Sequence, residues 1–407
     1  MKIFLINKFI FPKGGDAICT LSTGKLLSNR GHKVTFWGMN HSSNPEYPYQ
    51  QYFVNYNDFN NPRGIRKKFQ MASNMLYSFE AKRKIEQLIK IDRPDIIHLH
   101  NFAHQISPSI LDVFKKHKIP TVMTMHDYKL VCPVYTLYSD NKPCERCKGG
   151  KYYQCSINRC TKNSRIKSLL NTIEMYLHHK LLHIYDSIDV YISPSRFLKS
   201  KVEEMGFKRK VVYIPNFINL DAYIPQYSSE EKSIVYFGRL SQEKGLFTLI
   251  EAMKGVDVKL RIIGDGPLKE ALEGKVRDEK IKNVEFLGYL AGDELKNNVK
   301  KAMFVILPSE WYENNPLSII EGFALGKPAI GARIGGIPEL VKDNETGLTF
   351  EAGNINDLRQ KIENLMKDPD RVGQMGKNAR KFVEQELNEE KHYQSLIEIY
   401  QHVIRDH

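Results

Sequence analysis

Two carboxylates, Glu313 and Glu321, flank the segment Asn314-Asn315-Pro316-Leu317-Ser318-Ile319-Ile320. An apolar run from Met303 to Leu307 precedes them and ends in Pro308-Ser309, and Gly326-Lys327-Pro328 comes after. That order reads as strand, loop, helix. Pro316 suits the first turn of the helix, where its missing N–H costs nothing. Glu313 then lies in the loop and Glu321 about a turn and a half inside the helix. The backbone N–H groups of Leu317 and Ser318 sit at the helix N-terminus, a ready anion site. The carboxyl end of a strand is where open α/β sheets bind ligands. Two carboxylates beside an anion cradle suit a molecule with hydroxyls next to phosphate, such as a nucleotide sugar.

Cations are placed to match. In Phe237-Gly238-Arg239-Leu240 followed by Ser241-Gln242-Glu243-Lys244-Gly245, Arg239 leaves the end of a strand and Lys244 opens the next helix. A guanidinium fork and an ammonium so placed can clamp a diphosphate; the plain alternative is two surface cations. Gly264 and Gly266, in Ile263-Gly264-Asp265-Gly266-Pro267, leave room for a nucleotide at another strand-to-helix turn. Tyr289, after Phe286-Leu287-Gly288, is placed to border the base. Both segments also read as ordinary turn chemistry. Near the N-terminus, Gly14-Gly15 opens a helix after the first strand, where backbone can approach a phosphate closely. His126 stands at a strand end in Met-His-Asp-Tyr, where a neutral imidazole can hydrogen-bond a sugar hydroxyl. His98 and His100 share one face of another strand end, which places His100 toward an acceptor.

Five of the six cysteines fall between Cys132 and Cys160. Cys144-Glu145-Arg146-Cys147 is a C-x-x-C knuckle, and Cys155 with Cys160 supplies a second pair of wider spacing. In a reducing compartment such a cluster suits a structural zinc held by Cys144, Cys147, Cys155 and Cys160, with free thiols or redox disulfides as the alternatives.

The elements that must carry these residues alternate along the chain. Lys2–Ile6, Lys33–Trp37, Asp95–Leu99, Pro120–Met125 and Val190–Ser193 read as buried parallel strands, with helical patterns over 16–30, 65–90 and 106–118 between them. A linker begins after residue 217 and reaches about Lys232. The alternation restarts with Ser233–Phe237, Lys259–Ile263, Asn283–Phe286, Met303–Leu307 and Ala329–Gly331, and closes in helices over 356–367, 371–386 and 389–404. A helix over 164–185 carries a stripe of Ile166, Leu169, Ile173, Tyr176, Leu177 and Leu181, which reads as core-facing, with lipid contact as the alternative. The fold class is therefore α/β, with two Rossmann-like doubly wound domains facing a central cleft: residues 1–217 on the acceptor side, joined by 387–407 crossing back, and 218–386 on the nucleotide-sugar side.

With 407 residues, 42% hydrophobic and 26% charged, the chain has the composition of a globular protein. No run of about 18 apolar residues and no signal-peptide pattern appears, so a cytoplasmic location is expected. A net charge of +13, with clusters such as Arg63, Arg66, Lys67, Lys68 and Lys82, Arg83, Lys84, favours anionic partners; a solvated basic surface is the plain alternative. An anionic membrane, with the chain peripheral on its inner face, is the expected surface partner. No RNA-binding aromatic signature accompanies the charge, so nucleic acid is not expected.

Taken in order, these motifs resemble the retaining glycosyltransferases of family 4, with the GT-B fold. The resemblance spans nearly the whole chain and rests on Gly14-Gly15, His126, Gly238-Arg239, Lys244-Gly245, Gly264-Asp265-Gly266-Pro267, and above all the Glu-x7-Glu pattern of Glu313 and Glu321. Gly335-Gly336-Ile337-Pro338-Glu339 and Asn344-Glu345-Thr346-Gly347-Leu348 also look like the family's C-terminal half, and the cysteine-rich stretch resembles an insertion of a polysaccharide-type subset. The resemblance implies a nucleoside-diphosphate-sugar donor and a glycan or lipid-linked acceptor. By position, Arg239 and Lys244 neutralise the diphosphate, Glu321 holds the ribose, and Glu313 touches the donor sugar with the backbone near Asn315, Leu317 and Ser318. Gly15 approaches the phosphates and His126 contacts the sugar. No catalytic metal is implied, and the mechanism is front-side attack with retention. A transferase acting on a small acceptor such as a sugar phosphate, and a non-catalytic nucleotide-sugar or nucleic-acid binding module, are the competing readings.

Overall fold

The short β-branched runs form two six-stranded parallel sheets in a computed structural model that describes residues 1–56 and 64–407. Arg63 of the first basic cluster lies outside the described residues. The first sheet holds β1 (Lys2–Ile6), β2 (Lys33–Trp37), β3 (Ile96–Leu99), β4 (Thr121–Thr124), β5 (Val190–Ser193) and β6 (Val211–Tyr213), in the order β6-β5-β4-β3-β1-β2. The second holds β7 (Ser233–Phe237), β8 (Lys259–Ile263), β9 (Val284–Gly288), β10 (Val305–Leu307), β11 (Ala329–Ala332) and β12 (Gly347–Phe350), in the order β9-β8-β7-β10-β11-β12. Counted from its own first strand, that second order is 3-2-1-4-5-6, the doubly wound arrangement in which ligands bind where the winding reverses, here between β7 and β10. In the first sheet the reversal falls between β1 and β3.

The chain divides into two compact units. One comprises Met1–Thr136, Glu145–Ile214 and Tyr393–His407; the other comprises Leu137–Cys144 and Pro215–His392. The last helix therefore belongs with the first sheet: its Leu396, Tyr400 and Val403 are buried with Ile3, Leu5, Val122 and Ile192. The second unit has its own core, in which Val235, Ile262 and Ile306 of the sheet meet Ile320, Phe323 and Leu358 of the helices.

Three helical segments differ from the reading of periodicity. The stretch 65–90 is two helices, α1 (Ile65–Leu76) and α2 (Phe79–Ile91), because Ser78 takes an extended backbone and its Oγ accepts from the Ala81 N–H at 3.2 Å, starting a new helix. The stretch 106–118 shrinks to Leu111–Lys116 after a 3-10 turn begun by Pro108. In α3 (Arg165–Tyr176) the apolar stripe faces outward: Ser168, Asn171, Thr172, Glu174 and Met175 are buried, and Ile166, Leu169 and Ile173 are exposed.

Candidate active site

In the second unit the loops after β7 and β10 are locked together by backbone. Gly245 has φ +67°, and a Cβ there would lie 2.0 Å from the Pro308 carbonyl oxygen, so only glycine lets the two loops touch. The Glu310 N–H donates to the Glu243 carbonyl at 2.9 Å across the same junction. This contact brings Lys244, at the end of the β7 loop, onto Glu313, at the end of the β10 loop. Lys244 Nζ donates to Glu313 Oε1 at 2.5 Å, and Ser309 Oγ donates to the same oxygen at 2.5 Å. Glu313 is buried. Burial alone pushes its carboxyl upward, but the Lys244 charge and the Lys244 and Ser309 hydrogen bonds outweigh it and hold the group below the ordinary glutamate range. The Lys244 ammonium also lies 5.2 Å from the centre of the Trp311 ring.

A second contact fixes Glu313 from behind. Gly335 has φ +61°, and a Cβ there would come within 2.4 Å of the Glu313 carbonyl oxygen. The Gly336 N–H donates to that oxygen at 2.8 Å. Arg239 comes directly after the β7 turn and is exposed, while its carbonyl accepts from Tyr236 Oη at 2.8 Å. Gly264 and Gly266 lie against this same turn: the Leu240 N–H donates to the Asp265 carbonyl at 2.9 Å, and a Cβ on Gly264 would meet the Gly238 carbonyl oxygen at 1.9 Å. The two glycines thus hold the Arg239 turn in place.

The helix α4 (Leu317–Ala324) starts one residue after the sequence reading, since Pro316 has ψ 117° and acts as its N-cap. Leu317 and Ser318 open the helix and are partly exposed. Asn315 is buried and braced: the Asn216 N–H donates to its Oδ1 at 3.1 Å, and Asn216 Nδ2 donates to its carbonyl at 2.9 Å. Glu321 accepts from Tyr223 Oη at 3.3 Å; burial pushes its carboxyl up to about 7, against the pull of Tyr223 and Lys296. Tyr289 is exposed beyond β9. Sequence reasoning did not single out Ser309, Tyr223 or Asn216. Ser309 was signalled only by its place directly after the strand-ending Pro308; Tyr223 and Asn216 lie near the linker, where no periodicity marks them.

In the first unit, Gly14 takes φ +133° and caps the helix Gly15–Asn29, leaving Gly15 exposed at its first turn. His126 stands just past β4. Burial pushes its imidazole down to about 4, with the charges of Asp16 and Lys8 acting on it in opposite directions. His126 Nε2 is 2.9 Å from His100 Nδ1, and the two rings stack at 5.2 Å between centres. His100 stacks in turn on His98 at 4.3 Å, and His98 bonds to Tyr400 Oη at 2.6 Å and Thr124 Oγ1 at 2.8 Å. A pocket is lined by His100, His126, Asp127, Lys129 and Tyr185 among others.

All six cysteines are thiols rather than disulfides, and among the described residues no group of three or more His, Cys, Asp and Glu side chains is arranged to hold a metal ion. Cys144 falls in a segment of the second unit, while Cys147, Cys155 and Cys160 fall in the first. Cys155 is buried on the short helix Tyr153–Ile157, where a hydrogen bond with its neighbour Cys160 and burial together raise its thiol far above the ordinary range. Cys155 lies on that short helix and Cys160 in the turn that follows it.

Comparison with known proteins agrees with this geometry. The chain matches the family model Glycosyltransferase Family 4 over residues 13–222 and the model Glycosyl transferases group 1 over residues 223–382. It is 26% identical over 317 residues to an uncharacterized glycosyltransferase of Methanocaldococcus jannaschii, covering 78% of this chain and 77% of that one. Among solved structures, the sucrose-phosphate synthase of Thermosynechococcus elongatus matches with a TM-score of 0.74 at 19% identity, over 100% of both chains. The Anabaena protein HepE in its complex with UDP-glucose matches with a TM-score of 0.66 at 18% identity, over 98% of this chain and 99% of that one. With the first family model spanning just over half of its residues and two Rossmann-like sheets of the GT-B type, the chain belongs to glycosyltransferase family 4 and is a glycosyltransferase.

Proposed function

We propose that this enzyme moves a sugar from a nucleoside-diphosphate sugar to a hydroxyl of a glycan or lipid-linked acceptor, with retention at the anomeric carbon. The observation that carries the reading is the Lys244–Glu313–Ser309 network at the point where the second sheet reverses its winding. Lys244 enters the site already charged and held, so it stabilises the growing negative charge of the departing diphosphate without reorganising. Arg239, exposed beside it, adds a guanidinium fork for the phosphates. The N–H groups at the start of α4 supply further donors. Glu321 accepts the ribose hydroxyls, and Glu313 orients both Lys244 and the donor sugar.

The HepE complex with UDP-glucose makes uridine nucleotides the first donors to test. On the other side of the reaction, His126 is neutral and bound to His100, which suits a hydroxyl acceptor better than an anion. The departing diphosphate itself takes the acceptor proton, a role that in a hydrolase falls to one of a pair of carboxylates flanking the bond.

A thermal-shift series with UDP-glucose, GDP-mannose, UDP and GDP tests the donor assignment. The true donor raises the melting temperature in step with its excess over the dissociation constant. NMR of the product's anomeric proton then reads the stereochemistry. The site assignment fails if Arg239→Ala and Lys244→Ala leave both donor binding and turnover at the wild-type level.

A further inference from the structure

Helix α3 is built inside out. Its buried face is largely polar and hydrogen-bonded. Ser168 Oγ accepts from the Thr161 N–H at 2.9 Å, Asn171 Nδ2 donates to Thr161 Oγ1 at 3.0 Å, and Thr172 Oγ1 donates to the Tyr152 carbonyl at 3.2 Å. Glu174 accepts from Lys129 Nζ at 2.6 Å. These bonds fix the rotation of the helix, because a half-turn would bury the apolar stripe only by stripping a charge pair and three hydrogen bonds of their partners. The outward face is left apolar: Ile166 is 83% exposed, Leu169 52% and Ile173 46%. Leu181, in the turn that continues the helix, is 73% exposed, and Ile157 on the neighbouring short helix is 67% exposed. A folded protein exposes apolar side chains singly as a rule, and a run of them along one helix marks a contact surface.

The charges around the stripe say what it meets. Residues 148–183 contain seven Lys and Arg and a single acid, Glu174, which is fully buried. Arg159, Lys162, Arg165, Lys167 and Lys180 are exposed around the stripe. Two copies of the chain meeting through this face would press like charges together. A surface of opposite sign with an apolar interior satisfies both features at once, as the headgroups and acyl chains of an anionic bilayer do.

We infer that the exposed stripe of α3 and its basic rim dock the enzyme on an anionic lipid membrane, with Ile166, Leu169 and Ile173 entering the acyl boundary and Arg165 and Lys167 at the headgroups. The docking stands apart from the transfer reaction: none of these residues belongs to the donor-side network or to the histidine stack.

Sedimentation of the intact protein with vesicles of phosphatidylglycerol and phosphatidylcholine, against pure phosphatidylcholine, tests it. Binding is expected to the anionic vesicles and to fall as salt rises. The triple variant Ile166→Ser, Leu169→Ser, Ile173→Ser is expected to weaken it by at least tenfold. The pair Arg165→Gln, Lys167→Gln is expected to weaken it roughly fivefold per residue and to flatten the salt dependence. Because these side chains are exposed, melting temperature and donor-induced thermal shift stay at wild-type values in both variants, which separates failure of docking from failure of the transfer assignment. Absence of vesicle binding overturns the inference. So does binding that ignores the triple variant, or a concentration-dependent dimer in analytical ultracentrifugation that the triple variant abolishes.

Discussion

In the second unit Glu313 is ionised and tied to Lys244 at 2.5 Å, whereas in the first unit His126 is neutral and tied to His100 at 2.9 Å. Each pair joins the carboxyl ends of two neighbouring parallel strands, β7 and β10 in one sheet, β3 and β4 in the other. One unit invests its polar groups in formal charge and cancels it internally until a ligand arrives. The other keeps its histidines uncharged and orders them by stacking and hydrogen bonds. A phosphate-bearing donor needs the first kind of surface and a hydroxyl nucleophile the second. On the proposed assignment, the same α/β scaffold serves both halves of a transfer reaction through the loops at its strand ends.

The largest effect that would test this contrast is Lys244→Ala. It removes the cation aimed at the leaving group and leaves Glu313 buried without its partner, so kcat is expected to fall roughly 10²–10³-fold. Glu313→Gln is expected to fall nearly as far. Because the two side chains act as one unit, the double variant is expected to be little worse than either alone in a steady-state double-mutant cycle. Fully additive losses would break the pairing. His126→Ala is expected to cost less, on the order of tenfold to a hundredfold, since it removes a neutral hydrogen-bonding group.

A sharper separation comes from pH. Burial pushes Glu321 up to about 7, so on the proposed assignment the ionised form that accepts ribose hydroxyls is lost as pH falls through 7. Donor affinity by calorimetry is expected to weaken about tenfold from pH 8 to pH 6, and Glu321→Gln to remove that slope while lowering affinity throughout. His126, held near 4, stays neutral over the same interval, so acceptor KM is expected to show no step there. The sign for stability differs as well. The depressed imidazole costs nothing above its ordinary 6.5 and destabilises the fold as pH drops from there toward 4. The smallest expected effect is Tyr400→Phe, which removes a partner of buried His98 and is expected to lower stability by about 1–3 kcal/mol in urea titration, with donor binding unchanged.

Much of this was legible in the sequence because it rests on local patterns. Continuous β-branched runs such as Ser233–Phe237 are buried on both faces and cannot be read otherwise, and the motif of Glu313 and Glu321 carries its own strand, loop and cap. The parts that were not legible depend on the neighbours a segment packs against. In the last helix Leu396, Tyr400 and Val403 are buried, whereas in α3 Ile166, Leu169 and Ile173 are not. Periodicity states that a helix has two faces; Lys129, the partner of Glu174 and 45 positions away, helps decide which one turns inward. The break at Ser78 hides inside an unbroken apolar rhythm because a single cap outweighs it. Tyr223, which meets Glu321 from 98 positions away, has no marker at all.

The segment Tyr393–His407 completes a layer begun by residues 1–136. During translation, everything between them must leave the ribosome before Tyr400 can reach His98. The earliest strands thus emerge first and close last, and until then the nascent chain carries an open apolar flank beside Ile3, Leu5 and Val122. A chain ended after His392 has every residue of the second unit but leaves the first still waiting for its plug.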